Sequence, residues 1–451
     1  MECLVLKKGF NRNRLIIMSL GNIIGSGIFL GSSTVISIAG PAAVIAYLFG
    51  GLLMTFEVMF ITEMCVINPA PGAFRVHASE IFGPWIGFVN GWMFWCSGVL
   101  GMASEVVAAA IFTGFWFPNV PLWVFCILYA SVMTAVNFND LRGLSRIESL
   151  LASIKVIALI FFVIFGVFLL LGFIPANGFK LNNPFESYKA FMPRGFEGVL
   201  ASMVMVMFSF TGTGIIGLAI ADTEDPEKNA PAAISFTTVT VVTLYSLSVL
   251  FIVLLTPWGT LTASSSPLVL ILKRIGIPYA DSVLNFIVLT ASLSGLNSSM
   301  YSSSRMLSSL SRDRQAPRLF LKTNKKGVPI YALCLSSAAL LLTAVLSYLL
   351  PQKVFIVLAT SSGFLALFNW LTISITHFFY RKKTLKENPE KLKYKAPGYP
   401  YTSFMLAAFI VLIFCTSPLY SGQVSGLIGS LILLAVLMSC YCILKKMGFL
   451  K

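Results

Sequence analysis

The sequence predicts an all-α polytopic membrane protein of twelve transmembrane helices. Ten of them form an inverted repeat of five plus five, with helices 1 and 6 broken, and two extra helices follow at the C-terminal end. Three observations carry this. Of 451 residues, 57% are hydrophobic and 11% charged, against about 25% charge in soluble globular domains. Uncharged runs long enough to cross a roughly 30 Å hydrocarbon core recur along the chain. Two of these runs are interrupted by glycines at matching places: Gly25-Ser26-Gly27-Ile28 within 15–39, and Gly212-Thr213-Gly214-Ile215 within 198–221, 187 residues later.

The elements follow in order. Lys7, Lys8, Arg12 and Arg14 precede span one, and Gly40-Pro41 turns the chain into span two, 42–67, which holds Glu57 and Glu63. A loop through Pro69-Ala70-Pro71-Gly72, Arg75 and His77 leads to span three, 84–110, with Glu105 near its end. Span four is 120–139; a loop with Asp140, Arg142, Arg146 and Glu148 follows; span five is 149–173 and contains Lys155. After a polar loop, 174–197, come span six (198–221), an acidic loop, span seven (232–256) and span eight (282–305). A basic loop, 308–329, precedes spans nine (330–350) and ten (354–378). A second basic loop, 381–398, leads to 399–444, which Pro418, Ser421, Gly422 and Gln423 divide into spans eleven and twelve.

Lysine and arginine near span ends set orientation. They crowd the termini and the basic loops, while the opposite loops hold only Lys180, Lys189, Arg194, Lys273, Arg274 and Lys353. Both termini are therefore expected in the cytoplasm, with the chain in the cytoplasmic membrane as a single integral domain over 1–451. Topology thus accounts for the net charge of +15, and no nucleic-acid partner is implied. The offset pairs 15–173 with 198–378. Five spans is an odd number, so the second unit enters from the opposite side and the repeat is inverted. The segment 399–444 lies outside it and reads as packing or oligomer helices, with monomer and homodimer both open.

An interrupted helix exposes amide donors where its second half starts and carbonyls where its first half ends. At membrane depth these groups need a partner. Amides near Ser26 and Gly27, with the Ser26 hydroxyl, suit a carboxylate; carbonyls near Ile23 and from Phe208 through Ser209 to Phe210 suit an ammonium. Together they read as a cradle for a zwitterion; an inorganic anion or a polyamine can use parts of it. The alternative is close helix packing by small residues. Gly25, Gly27, Gly212 and Gly214 leave space, and Phe208 stands where an aromatic gate would close it, or packs like many of the 38 phenylalanines.

Lys155 lies about one and a half turns inside an apolar run. An intramembrane charge is a functional candidate, here for proton coupling, unless its stem snorkels to the interface beside Arg146 and Glu148. Glu105 is the second coupling candidate, against structural hydrogen bonding. Glu57 and Glu63 lie toward the cytoplasmic half of span two and stay outside the mechanism, as does Arg305 at the end of span eight. Hydroxyls of Thr290, Ser292, Ser294, Ser298 and Ser299 keep sodium open as the less favoured coupling ion. Two histidines, His77 and His377, and eight scattered cysteines give no metal motif; the cysteines read as small apolar fillers. No cofactor is expected.

At these residues the chain resembles the amino acid–polyamine–organocation superfamily, specifically the bacterial amino acid permeases. The resemblance rests on Gly21-Asn22-Ile23-Ile24-Gly25-Ser26-Gly27-Ile28-Phe29, Pro69-Ala70-Pro71-Gly72-Ala73-Phe74, Phe208-Ser209-Phe210-Thr211-Gly212, Glu224-Asp225-Pro226-Glu227-Lys228 and Tyr301-Ser302-Ser303-Ser304-Arg305-Met306-Leu307. It implies the leucine-transporter-like fold with alternating access, Gly25, Ser26 and Gly27 at a substrate carboxylate, and Phe208 at the gate. It places Lys155 in the region of a sodium site and Glu105 near an acidic position of span three. Many relatives carry glutamate where this chain has Gly214. Either that glycine enlarges the side-chain pocket or Glu105 does more of the coupling.

The expectation is a secondary transporter of L-amino acids, proton-coupled, with an amino acid exchanger or a polyamine porter as the alternative. A channel would need pore rings from a symmetric assembly. An enzyme would need a metal cluster or a triad, and neither pattern is present in the sequence.

Overall fold

The computed structural model describes residues 11–70, 72–139, 141–174, 183–220, 223–262, 265–324, 327–351 and 353–449, with only the backbone described for 139, 141–149 and 421. It is all-α apart from isolated bridge residues, among them the pair Thr323 and Pro329. Ten helical runs there are long and apolar enough to cross a membrane. The first, Arg12–Ile67, spans 56 residues and is itself interrupted. It comprises α1 (Arg12–Ile23), a π-helical turn (Gly27–Gly31), α2 (Ser32–Ala39) and α3 (Ala43–Ile67). Gly40, at φ +66°, lies between α2 and α3, with Pro41 next. A shorter apolar helix, Leu122–Phe138, lies within α6 (Leu122–Asn139).

The remaining helices are α4 (Phe74–Phe82), α5 (Pro84–Gly114), α7 (Leu141–Leu170), α8 (Tyr188–Phe191), α9 (Gly195–Ser209), α10 (Gly214–Ile220), α11 (Pro226–Leu255), α12 (Pro267–Ile275), α13 (Ala280–Arg312), α14 (Ile330–Leu349), α15 (Val354–Glu387), α16 (Tyr401–Thr416) and α17 (Ser421–Lys446). Three of these, α4, α8 and α12, lie in segments read as loops. At nine, four and nine residues they are too short to read as spans. Helix α13 continues to Arg312, past the expected end of span eight. Its serines close the last turns locally: Ser308 Oγ donates to Ser304 O at 3.1 Å and Ser311 Oγ to Pro317 O at 2.9 Å. Helix α7 starts at Leu141, so the segment expected as the 4–5 loop is mostly helix; Asp140 and the side chains of Arg142, Arg146 and Glu148 lie outside the described residues.

Helix pairs set the architecture: α1 packs on α7, α11 and α13, α3 on α11, α5 on α13 and α15, α6 on α14, and α2 on α9. The centre is α9 and α10, whose span is 89% buried; Gly422–Lys446 is 22% buried and forms an edge. Cys65 and Cys126 fill the core, but Cys334, Cys415, Cys440 and Cys442 are exposed. This corrects the filler reading for those four, which sit on the outer faces of α14, α16 and α17. Cys3 lies outside the described residues.

Candidate functional site between two interrupted helices

Both expected interruptions are present, and they meet. In the first, Ile24 is extended (φ −80°, ψ 98°) and ends α1. The backbone groups this releases are met by three other helices. Lys155 Nζ on α7 donates to Gly21 O at 2.5 Å and Ile24 O at 2.8 Å. Tyr245 on α11 donates its hydroxyl to Ile23 O at 3.0 Å. Ser26 N donates to both oxygens of Glu105 on α5, at 3.0 and 3.1 Å. The freed carbonyls thus hold an ammonium and a freed amide holds a carboxyl, as the polarity of a broken helix favours.

In the second, α9 tightens after Ser209, with Phe210 N and Thr211 N donating to Met207 O and Phe208 O at 3.0 and 3.1 Å. Gly212 follows at φ +99°, a conformation that favours glycine. Asn22 Nδ2 donates to Gly212 O at 2.5 Å, tying the second interruption to the first. The approach is close. A Cβ built on Gly27 falls 2.5 Å from Ser209 Cα, and one on Gly212 falls 2.7 Å from Asn22 O. Tyr47 OH lies 3.0 Å from Ser209 Oγ.

A cavity lies between the interruptions, lined by Asn22, Ile23, Gly25, Gly27, Gly101, Glu105, Phe208, Ser209, Thr211, Gly212, Gly295 and Ser299. A second cavity shares Asn22, Gly101, Thr211, Gly212 and Ser299 with it and continues past Gly214, Phe94, Phe74, Glu57, Asn369 and Trp370. Both linings contain carboxyl side chains and no lysine, arginine or histidine.

The sequence-predicted residues fall into three groups. Ile23, Gly25, Gly27, Phe208, Ser209, Gly212 and Glu105 line the first cavity, and Gly214 the second. Ser26 and Lys155 are fully buried beside the interruption and line neither cavity. Phe210 also lines neither, and packs at 6.0 Å and 5.2 Å between ring centroids on Tyr47 and Tyr245. Gly214 does not open extra space. A Cβ there falls 2.5 Å from Phe94 Cε2, so the Phe94 ring already covers the position. Sequence reasoning passed over Asn22, Tyr245 and Gly101. Asn22 carried a usable signal, a lone amide beside the glycine break; Tyr245 and Gly101 carried none.

Among the described residues, no group of three His, Cys, Asp or Glu is placed to hold a metal ion. The site presents backbone groups and a few polar side chains. It brings no nucleophile together with a base.

The family model for amino acid permeases matches residues 14–448. The γ-aminobutyric acid permease of Bacillus subtilis (strain 168) is 34% identical over 441 residues, covering 98% of this chain and 94% of the relative. The amino-acid permease RocE of the same organism is 33% identical over 401 residues, 88% of this chain and 86% of the relative. The amino acid permease YtnA, uncharacterized, is 34% identical over 439 residues, 96% and 94% of the two chains. This chain belongs to the bacterial amino acid permeases of the amino acid–polyamine–organocation superfamily, which are membrane transporters and not enzymes.

Proposed function

We propose that the protein carries an L-amino acid across the cytoplasmic membrane by proton-coupled symport and alternating access. The chain is read as one domain of twelve spans with both termini in the cytoplasm. On this reading, 15–173 and 198–378 are inverted repeats and 399–444 is an addition. The pairing of α3 with α11, α5 with α13 and α6 with α14 supports it, because each pair joins equivalent spans of the two halves, as a pseudo-two-fold axis would.

One observation carries the coupling: Glu105 accepts the Ser26 amide while Lys155 holds the Gly21 and Ile24 carbonyls on the same interruption. A substrate carboxylate seeking that amide meets the Glu105 carboxyl there. Two negative charges on one donor repel, so substrate entry is linked to proton uptake at Glu105. The Lys155 ammonium takes the carbonyls a sodium ion would need, which favours protons over sodium. Phe208, 4% exposed and edge-on to Phe355 at 6.2 Å, is read as the gate. Binding does no covalent chemistry; it shifts the population between outward-open and inward-open forms.

The test is uptake into proteoliposomes under an imposed pH gradient, competed by the twenty amino acids and several amines. Concentrative uptake of an amino acid that collapses with the gradient is expected. Uptake that needs a counter-substrate inside, whatever the gradient, would assign an exchanger instead. Glu105→Gln is expected to lose gradient-driven accumulation yet retain substrate counterflow.

A further inference from the structure

We propose that Glu57 forms a cation subsite in the second cavity, taking the ammonium or guanidinium at the far end of a substrate side chain. This rests on the amino acid carrier reading above.

Glu57 lies in the middle of α3 and is fully buried, and among the described residues its carboxyl makes no ion pair. The Thr213 hydroxyl, in the second interruption, is likewise buried and is the neutral group that meets this carboxyl. Both residues line the second cavity. An ionised carboxylate out of water is costly unless a positive partner meets it. No lysine, arginine or histidine lines this cavity or the one beside it, so Glu57 is held neutral unless a ligand brings the positive partner that an ionised carboxylate needs. The walls fit an organic cation. Phe74, Phe94 and Trp370 stand around the same space, and aromatic faces attract poorly hydrated ammonium and guanidinium groups. The ring of Phe94 takes the room beside Gly214, which leaves Glu57 as the carboxyl at that end. Because the two cavities are contiguous, a substrate whose α-groups sit at the interruptions has its side chain directed toward Glu57.

The experiment is equilibrium binding to the purified full-length protein in detergent. L-lysine and L-arginine are compared with L-norleucine, which keeps the chain and lacks the terminal cation. The wild type should prefer L-lysine over L-norleucine by about tenfold or more, the scale of a buried charge pair. Glu57→Gln should bring that ratio close to one, and Glu57→Asp should keep part of it. A wild-type ratio near one overturns the subsite without needing any variant. So does a ratio unchanged in Glu57→Gln, or stabilisation by sodium over choline that vanishes in that variant, which would assign an inorganic cation. If no amino acid binds at all, the carrier reading falls and the subsite with it.

Discussion

Gly27 and Gly212 fix how near the two interruptions can come. A side chain at 27 would meet the Ser209 backbone at 2.5 Å, and backbone cannot swing aside as a flexible side chain can. Gly27→Val is therefore expected to abolish substrate binding while the protein still inserts and runs as a single species on size exclusion; normal affinity would show that the cradle is elsewhere. Lys155 is the other residue on which the interruption depends. Lys155→Met leaves two buried carbonyls and Glu105 without its balancing charge, a loss of about 3 kcal/mol or more. A lowered melting temperature and loss of pH-gradient dependence in proteoliposomes are expected together. A variant that melts lower yet keeps full gradient dependence would reduce Lys155 to a structural post. Both glycine motifs were legible in the sequence, since a Gly-Ser-Gly in an uncharged span conflicts with helix propensity. The inward-facing residues were not. A membrane helix is apolar on its lipid-facing and its packed sides alike, so no amphipathic stripe marks the inner one, and Tyr245 and Gly101 look like any other apolar-span residue.

At the scale of elements, the short helix α4 is clamped to the end of α13. Arg75, 1% exposed, donates to Gln315 Oε1 at 2.8 Å and Ser309 Oγ at 2.9 Å, and pairs with Asp313. Burial pushes the Arg75 guanidinium below its ordinary pKa, and Asp313 opposes that shift. Gln315 also donates to Pro84 O at 2.8 Å and accepts from the Trp92 indole at 3.2 Å through its carbonyl, so the clamp reaches the start of α5. The sequence showed only a loop arginine and a serine-rich tail. Helical continuation there depends on a partner more than 200 residues away, which local pattern does not encode. Arg75→Ala should destabilise the protein by about 2 kcal/mol, through buried acceptors left unpaired. Arg75→Lys should recover only part, because an ammonium lacks the fork that serves several acceptors at once. Thermal unfolding of the purified variants checks both; equal stability of all three would mean that α4 is held by its apolar contacts alone.

For the whole molecule, the cavities and the closed side bear on which state of the transport cycle this is. On α15 the lining passes from Ser362 through Ala366 and Asn369 to Ile373, toward the end that carries Arg381, Lys382 and Lys383. On α5 it includes Phe94 and Ser97, in the half nearer Pro84 and the Arg75 clamp. The opposite side is packed shut. A Cβ on Gly40 would strike the Pro193 ring at 2.5 Å, and one on Gly198 would lie 3.1 Å from Ile38 O, where α2 lies along α9. On the proposed topology, which puts the basic loops in the cytoplasm, the second cavity lies toward the inner face, and an inward-facing conformation is expected. In a background without native cysteines, Ala366→Cys should react with a membrane-impermeant thiol reagent in inside-out vesicles and stay protected in right-side-out vesicles. Saturating substrate should slow the reaction, since it occupies the contiguous cavity. Labelling from the outer face alone would reverse the topology, and labelling from neither face would mean that the second cavity is sealed from both sides.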